Sequence, residues 1–340
     1  MPADMQNLQS EPSKWTSPSG NMKRKEDSGG MSVMVQEMEA ARLHVIIPVY
    51  NQSFALAQTL YGFTRQTKPY NECRITVVDD GSDEPVDAIV EAYSNELNIH
   101  CIRLPRSGRA AARNAGVQAS NADAVVFCDA DRIPQPGFLR AHAHAQQQAG
   151  GSVTVGHVRE MYVSNPEANR GLILKRYEDD RMLRTPQYCS LVYGLFGGDG
   201  STNSPIAWIA TLSGNLSVPL SWVLEAGGFD EDFKEWGFEH MELGYRLHRL
   251  YGTFRYEARA VNVHIAHPRA GHSYASLLTN SHAVFAAKHR GDEAVSRYLD
   301  FMLGRISLRK YESIAGGNRA NGGSRTGHAH DGYVRITNGL

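Results

Sequence analysis

Two carboxylates stand one residue apart in the segment FCDADRIP, directly after the apolar run AVVFC at 124–128. Asp129 and Asp131 repel each other unless a positive group lies beside them, because like charges disfavour each other's ionisation. Mg²⁺ and Mn²⁺ prefer oxygen ligands, and they commonly take one or two protein carboxylates while substrate phosphates supply the rest. The pair therefore predicts a divalent metal ion bound to a phosphate group, with a short acidic turn as the simpler alternative.

The elements around this pair alternate between β-rich runs and helical stretches. Strands are predicted, with helices between them, at 43–49, 74–78, 99–104 and 124–128. Such alternation is typical of an α/β fold with a layered, mostly parallel sheet and helices on both faces. In sheets of this kind ligands bind beyond the carboxyl ends of the strands. Asp80, Asp129 and Asp131 follow predicted strand ends, so we expect them at one binding crevice.

Composition excludes several classes of function. The 340 residues carry 35 Lys and Arg against 36 Asp and Glu, and the net charge of -1 leaves no basic surplus for binding nucleic acid. The four cysteines are far apart and form no CxxC pair, which argues against a zinc ribbon and against a disulfide scaffold. No G-x-G-x-x-G turn follows the first strand, which argues against a dehydrogenase.

The two ends of the chain differ in composition from its middle. Residues 1–41 are predicted to form a disordered extension, and 291–340 a helix followed by a flexible tail. Between them, 42–290 are predicted to form the main domain, in which 164–205 is a long irregular insertion of the kind that serves as a functional loop. No apolar run is long enough to span a membrane and no secretory signal is seen, so we expect a cytoplasmic location.

Seven segments of the chain, taken in order, resemble one family of enzymes. They are VIIPVYNQSFALAQTL, TVVDDGSDE, GRAAARNAG, FCDADRIPQPGFL, SGNLSVPLSWVLEAGGFDEDF, WGFEHMELGYRL and NVHIAHP. Over about residues 43–270 they resemble the family 2 glycosyltransferases of the GT-A fold, including galactosyltransferase-like members with a tryptophan-glycine-acid motif. Each segment is modestly specific, and the order of all seven is more so. The resemblance implies a single domain that binds a nucleoside-diphosphate sugar.

The resemblance also implies a nucleotide pocket at the first two strand ends, lined by Pro48, Tyr50 and Asn51. Asp80 would hold the base or the ribose, since a carboxylate accepts hydrogen bonds from a pyrimidine N–H or from hydroxyls. The alternative for Asp80 is a turn-capping role before Gly81. Either Arg109 or Arg113 would neutralise the diphosphate.

The metal site implied by the resemblance combines the D-x-D with a downstream histidine. Asp129 would approach the ribose or the metal, and Asp131 would ligate Mn²⁺ or Mg²⁺. His264 would complete the coordination, with His267 as second choice. Asn215 matches a family segment near the donor sugar, although a strand-turn role fits it equally.

Glu239 and His240 are the candidates for the catalytic base. An inverting glycosyltransferase needs a base that deprotonates the acceptor as it attacks the anomeric carbon. Related family members carry Glu-Asp at this place, and the Asp is commonly taken as the base, so the Glu-His of this chain leaves the choice open. Trp236 offers a face for a sugar ring, with a core tryptophan as the alternative. Glu242 is expected to pair with Arg246 on the same helix.

These expectations describe a metal-dependent glycosyltransferase that moves a sugar, expected to be UDP-linked, to an acceptor with inversion. The acceptor stays open between a glycan, a peptide and a small molecule, and the oligomeric state is open as well. Two alternatives remain at this point. One is a sugar nucleotidyltransferase, and the other is a module that binds the nucleotide sugar without catalysis.

Overall fold

The computed structural model describes residues 41–148, 150–234, 237–266, 274–317 and 332–335. The predictions for residues 1–40, for Trp236 and for His267 concern positions outside the described residues. Among the helices of the described ranges, none is long and apolar enough to cross a membrane.

Within these ranges, eight strands form one sheet. The strands are β1 (Leu43–Val49), β2 (Arg74–Asp79), β3 (Ile99–Arg103), β4 (Ala124–Cys128), β5 (Arg132–Pro134), β6 (Val153–Tyr162), β7 (Asn215–Pro219) and β8 (Phe254–Ala266). Their order across the sheet is β3-β2-β1-β4-β7-β6-β8-β5. The strands β1 to β4 are parallel to one another, as are β6 and β8. Only β5 and β7 run against their neighbours, so the sheet is mostly parallel, as predicted.

Helices cover both faces of this sheet, which confirms the predicted layering. They are α1 (Ser53–Thr64), α2 (Val86–Tyr93), α3 (Arg109–Gln118), α4 (Phe138–Gln148), α5 (Arg170–Glu178), α6 (Gln187–Tyr193), α7 (Leu220–Glu225), α8 (Glu239–Leu250), α9 (Tyr274–Lys288), α10 (Glu293–Met302) and α11 (Leu308–Ala315). Buried side chains of α1, α2 and α4 share one core with the sheet, and those of α3, α7 and α8 share another.

The first strand shows why the sheet lies between two cores. Successive side chains of a strand point to opposite faces. Val45 and Ile47 pack in the core that contains α1, whereas Ile46 packs in the core that contains α3. A strand that is apolar on both faces needs cover on both, and the helices supply it.

The chain after β4 builds the edge where the candidate residues lie. The segment Asp129–Asp131 leaves the end of β4 and leads into the short strand β5. β5 pairs antiparallel with β8, so that Arg132 lies opposite His264. β8 also pairs with β6, which puts Glu160 beside His264 on the other side. Residues far apart in the sequence therefore meet at one edge.

The insertion at 164–205 is more regular than the sequence indicates. It contains α5 and α6, and Arg184 between them forms a β-bridge with Glu160 of β6. Only Ile173 and Tyr177 of α5 are buried. With so few apolar positions, the helical period of α5 is hard to detect in the sequence. The described part of 291–340 contains the helices α10 and α11.

Candidate active site

Asp131, His264 and Glu160 form one charged group, called here the His264 cluster. His264 Nε2 lies 3.4 Å from Asp131 Oδ2, and its Nδ1 lies 3.9 Å from Glu160 Oε2. Burial lowers the pKa of His264, but the two carboxylates outweigh it and the pKa is raised. Two of the three residues predicted as metal ligands, Asp131 and His264, are thus adjacent. The sequence analysis did not predict Glu160. The feature that could have indicated it is an acidic residue within a largely buried strand.

Asp129, the other carboxylate of the D-x-D, has different neighbours. Its Oδ1 accepts a hydrogen bond from Arg113 Nη2 at 2.9 Å, and its Oδ2 lies 3.5 Å from Arg132 Nε. The sequence predicts that a bound divalent ion offsets the repulsion between the two aspartates. In the structure, basic side chains of the protein lie beside each of them. Arginines provide the opposite charge for Asp129, and the raised pKa of His264 favours its cation beside Asp131.

Arg113 joins the D-x-D to the Glu-His pair. Its side chain is 4% exposed, and its Nη1 donates to Glu239 Oε1 at 3.1 Å while Nη2 donates to Asp129. His240 Nδ1 lies 3.5 Å from the same Glu239 oxygen. Arg113, Asp129, Glu239 and His240 are called here the Arg113 cluster. The sequence left the choice between Arg109 and Arg113 open; in the structure Arg113 lies in this cluster and Arg109 is exposed.

The Arg113 cluster holds polar atoms that the described residues leave without hydrogen bonds. They are Nε of Arg113, Oε2 of Glu239 and Nδ1 of His240, all nearly inaccessible to water. Burial raises the pKa of Glu239, but His240 and Arg113 outweigh it and lower the pKa to about 2. Glu239 is therefore a carboxylate at neutral pH. Buried polar groups without partners are uncommon, and they concentrate at sites that bind or react.

The start of α8 positions the Glu-His pair. The helix begins at Glu239, after Gly237 with a φ of 138°. A Cβ at Gly237 would lie 2.7 Å from Ser281 Oγ, so only glycine fits this approach to α9. A carboxylate in the first turn is favoured by the positive end of the helix dipole.

Asp80 is held by the loop that precedes α3. Its carboxylate accepts hydrogen bonds from the backbone N–H of Ser107 at 2.6 Å and of Gly108 at 3.0 Å, and it also binds the Arg106 guanidinium. That guanidinium stacks on the Tyr50 ring, 3.7 Å from its centroid. The base-binding role predicted for Asp80 stays a prediction, and Arg106 is a neighbour that sequence reasoning missed.

The other residues predicted to line the nucleotide pocket lie close by. Tyr50 is 39% exposed, and Pro48 is half-buried at the end of β1. Asn51 adopts a φ of 49°, and its Oδ1 accepts a hydrogen bond from the backbone N–H of Asp83 at 2.8 Å. Tyr50 and Arg106 are the exposed residues of this group, whereas Asp80 is buried.

Asn215 lies away from these groups. It is fully buried at the start of β7, where its Oδ1 is 3.0 Å from His142 Nε2 of α4. Its Nδ2 donates to the carbonyl oxygens of His157 and Ala260. Its amide is occupied inside the protein, so the structure favours the structural alternative over contact with a donor sugar.

The residues present fit a divalent ion held by few protein ligands. Among the described side chains, no three of the His, Cys, Asp and Glu type converge to hold a metal ion. Two ligands at right angles around an ion with bonds of about 2.1 Å lie about 3 Å apart, close to the separation of Asp131 and His264. Mg²⁺ and Mn²⁺ sites commonly have one or two protein ligands, with phosphate and water completing the shell.

Comparisons with known proteins show what the chain is similar to. The pattern described as "Glycosyl transferase family 2" matches residues 44–197. A validoxylamine A glucosyltransferase from Streptomyces hygroscopicus subsp. jinggangensis (strain 5008) is 28% identical over 263 residues, covering 73% of this chain and 61% of that protein. A hyaluronan synthase from Pasteurella multocida is 27% identical over 234 residues, covering 64% of this chain and 24% of that protein. The chain thus spans less than two thirds of either relative.

A solved structure shares the fold. The crystal structure of GalNAc-T7 with UDP, GalNAc and Mn²⁺ has a TM-score of 0.55 at 15% identity, covering 78% of this chain and 51% of that one. The fold and the pattern match define the class to which the chain is similar. Residues 44–197 match the family 2 glycosyltransferases, and the sheet with its helices has the GT-A fold.

Proposed function

We propose that the protein transfers a sugar from a nucleoside-diphosphate sugar, in the first place a UDP-sugar, with the help of Mn²⁺ or Mg²⁺. The observation that carries the proposal is the position of Arg113. It binds Asp129 of the D-x-D at 2.9 Å and Glu239 of the Glu-His pair at 3.1 Å. The candidate metal site and the candidate base are therefore parts of one site. UDP and Mn²⁺ in the structure of GalNAc-T7 support the choice of donor and ion.

Asp131 and His264 would hold the divalent ion. When bound, the ion would stabilise the negative charge that develops on the leaving diphosphate. Glu160 supports His264 from the side opposite Asp131, since its Oε2 lies 3.9 Å from His264 Nδ1. A carboxylate on the second ring nitrogen fixes the orientation of a ligating histidine. Asp129, held by Arg113 and Arg132, is more suited to contact the donor's hydroxyls than to ligate the ion.

His240 is the better candidate for the base. A general base works best when its pKa is near the operating pH, and a carboxylate whose pKa is about 2 accepts a proton poorly. The side chain of His240 is 19% exposed, whereas that of Glu239 is 5% exposed and bound to Arg113. Glu239 would orient the His240 ring and stabilise its cation after proton transfer. A base that activates the acceptor directly gives inversion at the anomeric carbon.

The acceptor would approach from the side of the insertion at 164–205. Arg184 of this segment binds Glu160 Oε1 at 2.9 Å, and its guanidinium lies 4.3 Å from the centroid of the Tyr162 ring. Tyr162 is 49% exposed next to the His264 cluster. An exposed aromatic face of this kind can stack on a sugar ring. Loops that surround a rigid scaffold commonly carry specificity.

The experiment that tests the proposal measures UDP release from a panel of UDP-sugars with Mn²⁺, with and without candidate acceptors. Asp131→Asn is expected to lower the rate about 1,000-fold, because metal stabilisation of a leaving group contributes several kcal/mol. Asp123→Asn, which changes an exposed carboxylate paired with Arg42, is the control and keeps the wild-type rate. Full activity of Asp131→Asn, or a product with retained configuration, would contradict the proposal.

A further inference from the structure

Arg132 places a positive charge beside the candidate metal ligands. It is the first residue of β5 and lies directly opposite His264 of the antiparallel strand β8. Side chains of directly opposite residues lie on the same face of a sheet, close enough to interact. Its Nε lies 3.5 Å from Asp129 Oδ2. Arg132 thus lies between Asp129 of the D-x-D and His264.

A glycine makes room for this guanidinium. A Cβ at Gly214 would lie 2.5 Å from Asp129 Oδ2 and closer still to Arg132 Nε, so a larger residue there would displace one of these side chains. The Gly214 carbonyl accepts a hydrogen bond from Asn262 Nδ2 at 2.7 Å, which fixes the backbone there. The position of Arg132 is therefore built into the neighbouring strands.

The hydrogen bonding of Arg132 differs from that of a structural arginine. Its Nε and Nη1 are nearly inaccessible to water and form no hydrogen bond with the described residues. Arg246, by contrast, donates from Nε and Nη2 to Glu242 and from its Nη atoms to the carbonyl oxygens of Ala226 and Gly228. An arginine that leaves donors unpaired contributes its charge more than its hydrogen bonds.

The side chain of Arg132 stays positively charged. Burial lowers its pKa, but Asp129 and Asp131 outweigh burial and raise it. The guanidinium therefore acts as a fixed cation that interacts with both carboxylates of the D-x-D. A divalent ion at Asp131 and His264 would have to bind against this charge and against Arg113. A diphosphate would supply the negative charge that offsets both arginines.

We propose that Arg132 is the resident counter-cation of the D-x-D and makes divalent-ion binding depend on the nucleotide. The free protein then binds Mn²⁺ weakly, and the ion binds together with the diphosphate. The inference rests on the proposed function, because it takes Asp131 and His264 as the ion's ligands. Binding is reciprocal, so Mn²⁺ strengthens UDP binding by the same factor as UDP strengthens Mn²⁺ binding.

The test measures Mn²⁺ binding to the full chain, by the loss of the free-ion signal in electron paramagnetic resonance, with and without UDP. In the wild type, UDP is expected to raise Mn²⁺ affinity at least tenfold. Arg132→Gln is expected to bind Mn²⁺ without UDP roughly tenfold more tightly than the wild type, because a positive charge beside the candidate metal ligands is removed. Arg132→Lys keeps the charge and stays near the wild type. Arg297→Gln removes a distant charge paired with Asp300 and is the matched control.

The outcomes separate this inference from the proposed function. Unchanged or weaker Mn²⁺ binding by Arg132→Gln without UDP overturns the role of Arg132. If Arg132→Gln does not fold, the wild type alone decides the question. Equal Mn²⁺ affinity of the wild type with and without UDP would then overturn the role of Arg132. Asp131→Ala, measured with UDP, tests the ligand assignment. If the wild type with UDP binds no Mn²⁺, or Asp131→Ala binds it as well as the wild type, the metal part of the proposed function fails as well.

Discussion

Two glutamates at the start of α8 lie in clusters that differ in their hydrogen bonding. Glu239 lies in the Arg113 cluster, where one of its oxygens forms no hydrogen bond with the described residues. Glu242, three residues on, binds Arg246 through both oxygens at 2.6 to 2.9 Å, and His289 Nε2 lies 2.9 Å from its Oε1. Glu242, Arg246 and His289 are called here the Glu242 cluster. None of its buried side-chain atoms lacks a hydrogen bond to the described residues, as expected of a structural role.

The two clusters differ in whether their hydrogen bonds are complete, and much less in the charged groups they contain. Each cluster contains a buried glutamate, an arginine and a histidine. In the Glu242 cluster the arginine also binds two backbone carbonyls, whereas in the Arg113 cluster it binds a second carboxylate. Around Glu239, buried donors and acceptors form no hydrogen bond with the described residues, and such groups concentrate at sites that bind or react. We expect changes in one cluster to affect rate and changes in the other to affect stability.

Substitution of the two histidines is expected to separate the two clusters most clearly. His240→Ala is expected to lower the turnover number at least about 100-fold with an unchanged melting temperature, since a general base contributes 10²–10⁴. His289→Ala removes the histidine beside Glu242 and its ring contact with Phe285, so it lowers the melting temperature and leaves turnover near the wild type. UDP release and thermal unfolding are measured for both.

Added imidazole gives a further check on His240. The vacated position is 19% exposed, so a small base can reach it and restore part of the rate. Recovery with imidazole supports a proton-transfer role, because a purely structural histidine is not replaced by a free base. Equal loss of rate in both histidine variants would contradict the division between the clusters.

The next effect concerns the stability of the Glu242 cluster. Glu242→Ala leaves Arg246 and His289 without their carboxylate, and removing one partner of a buried ion pair costs about 3 kcal/mol. Urea unfolding at neutral pH measures this free energy. Turnover per folded molecule is expected to stay within about twofold of the wild type, as a stabilising role implies. A variant as stable as the wild type but inactive would reverse the assignment.

A smaller effect is expected in the pH dependence of stability. The folded pKa of Glu239, about 2, lies below the ordinary value of 4.5 for a glutamate. A depressed pKa contributes stability above the unfolded value that is lost as pH falls toward the folded one. Between pH 6 and 3.5, Glu239→Gln should therefore lose about 1 kcal/mol less unfolding free energy than the wild type.

The control for the pH measurement is the same substitution at an exposed position. Glu96→Gln changes an exposed carboxylate in the turn before β3 and is expected to follow the wild type over this pH range. Urea unfolding at several pH values gives the slope for each protein. Parallel curves for Glu239→Gln and the wild type would show that Glu239 is not held as an anion by the Arg113 cluster.

The sequence predicts the strands of the first half of the fold well, because the sequence features that indicate them are local. The strands at 43–49 and 124–128 have the predicted bounds. Continuous apolar runs and turn residues determine these elements. The helices of the insertion were not predicted, because α5 buries only Ile173 and Tyr177 and thus carries little helical period.

The site was predictable where a residue's place follows from its strand end or its motif. Asp131 and His264 were predicted to meet, and they lie 3.4 Å apart. The partners of Asp129 were not predictable, because Arg132 reaches it only through the register of β5 with β8. Asn215 faces α4 for a similar reason, since the antiparallel pairing of β7 with β4 decides which face its side chain occupies. Such registers depend on contacts between distant segments.

The smallest expected effect compares two arginines one turn apart on α3. Arg109 is exposed, whereas Arg113 is buried against Asp129 and Glu239. An exposed charge is screened by salt, so Arg109→Gln is expected to raise the KM for the donor about threefold or less, and less still at high salt. Lys310→Gln, an exposed charge on α11, is the control and leaves KM unchanged. A loss of 100-fold or more at Arg109 would instead place the diphosphate there, and the charge that matters for the donor would then lie outside the Arg113 cluster.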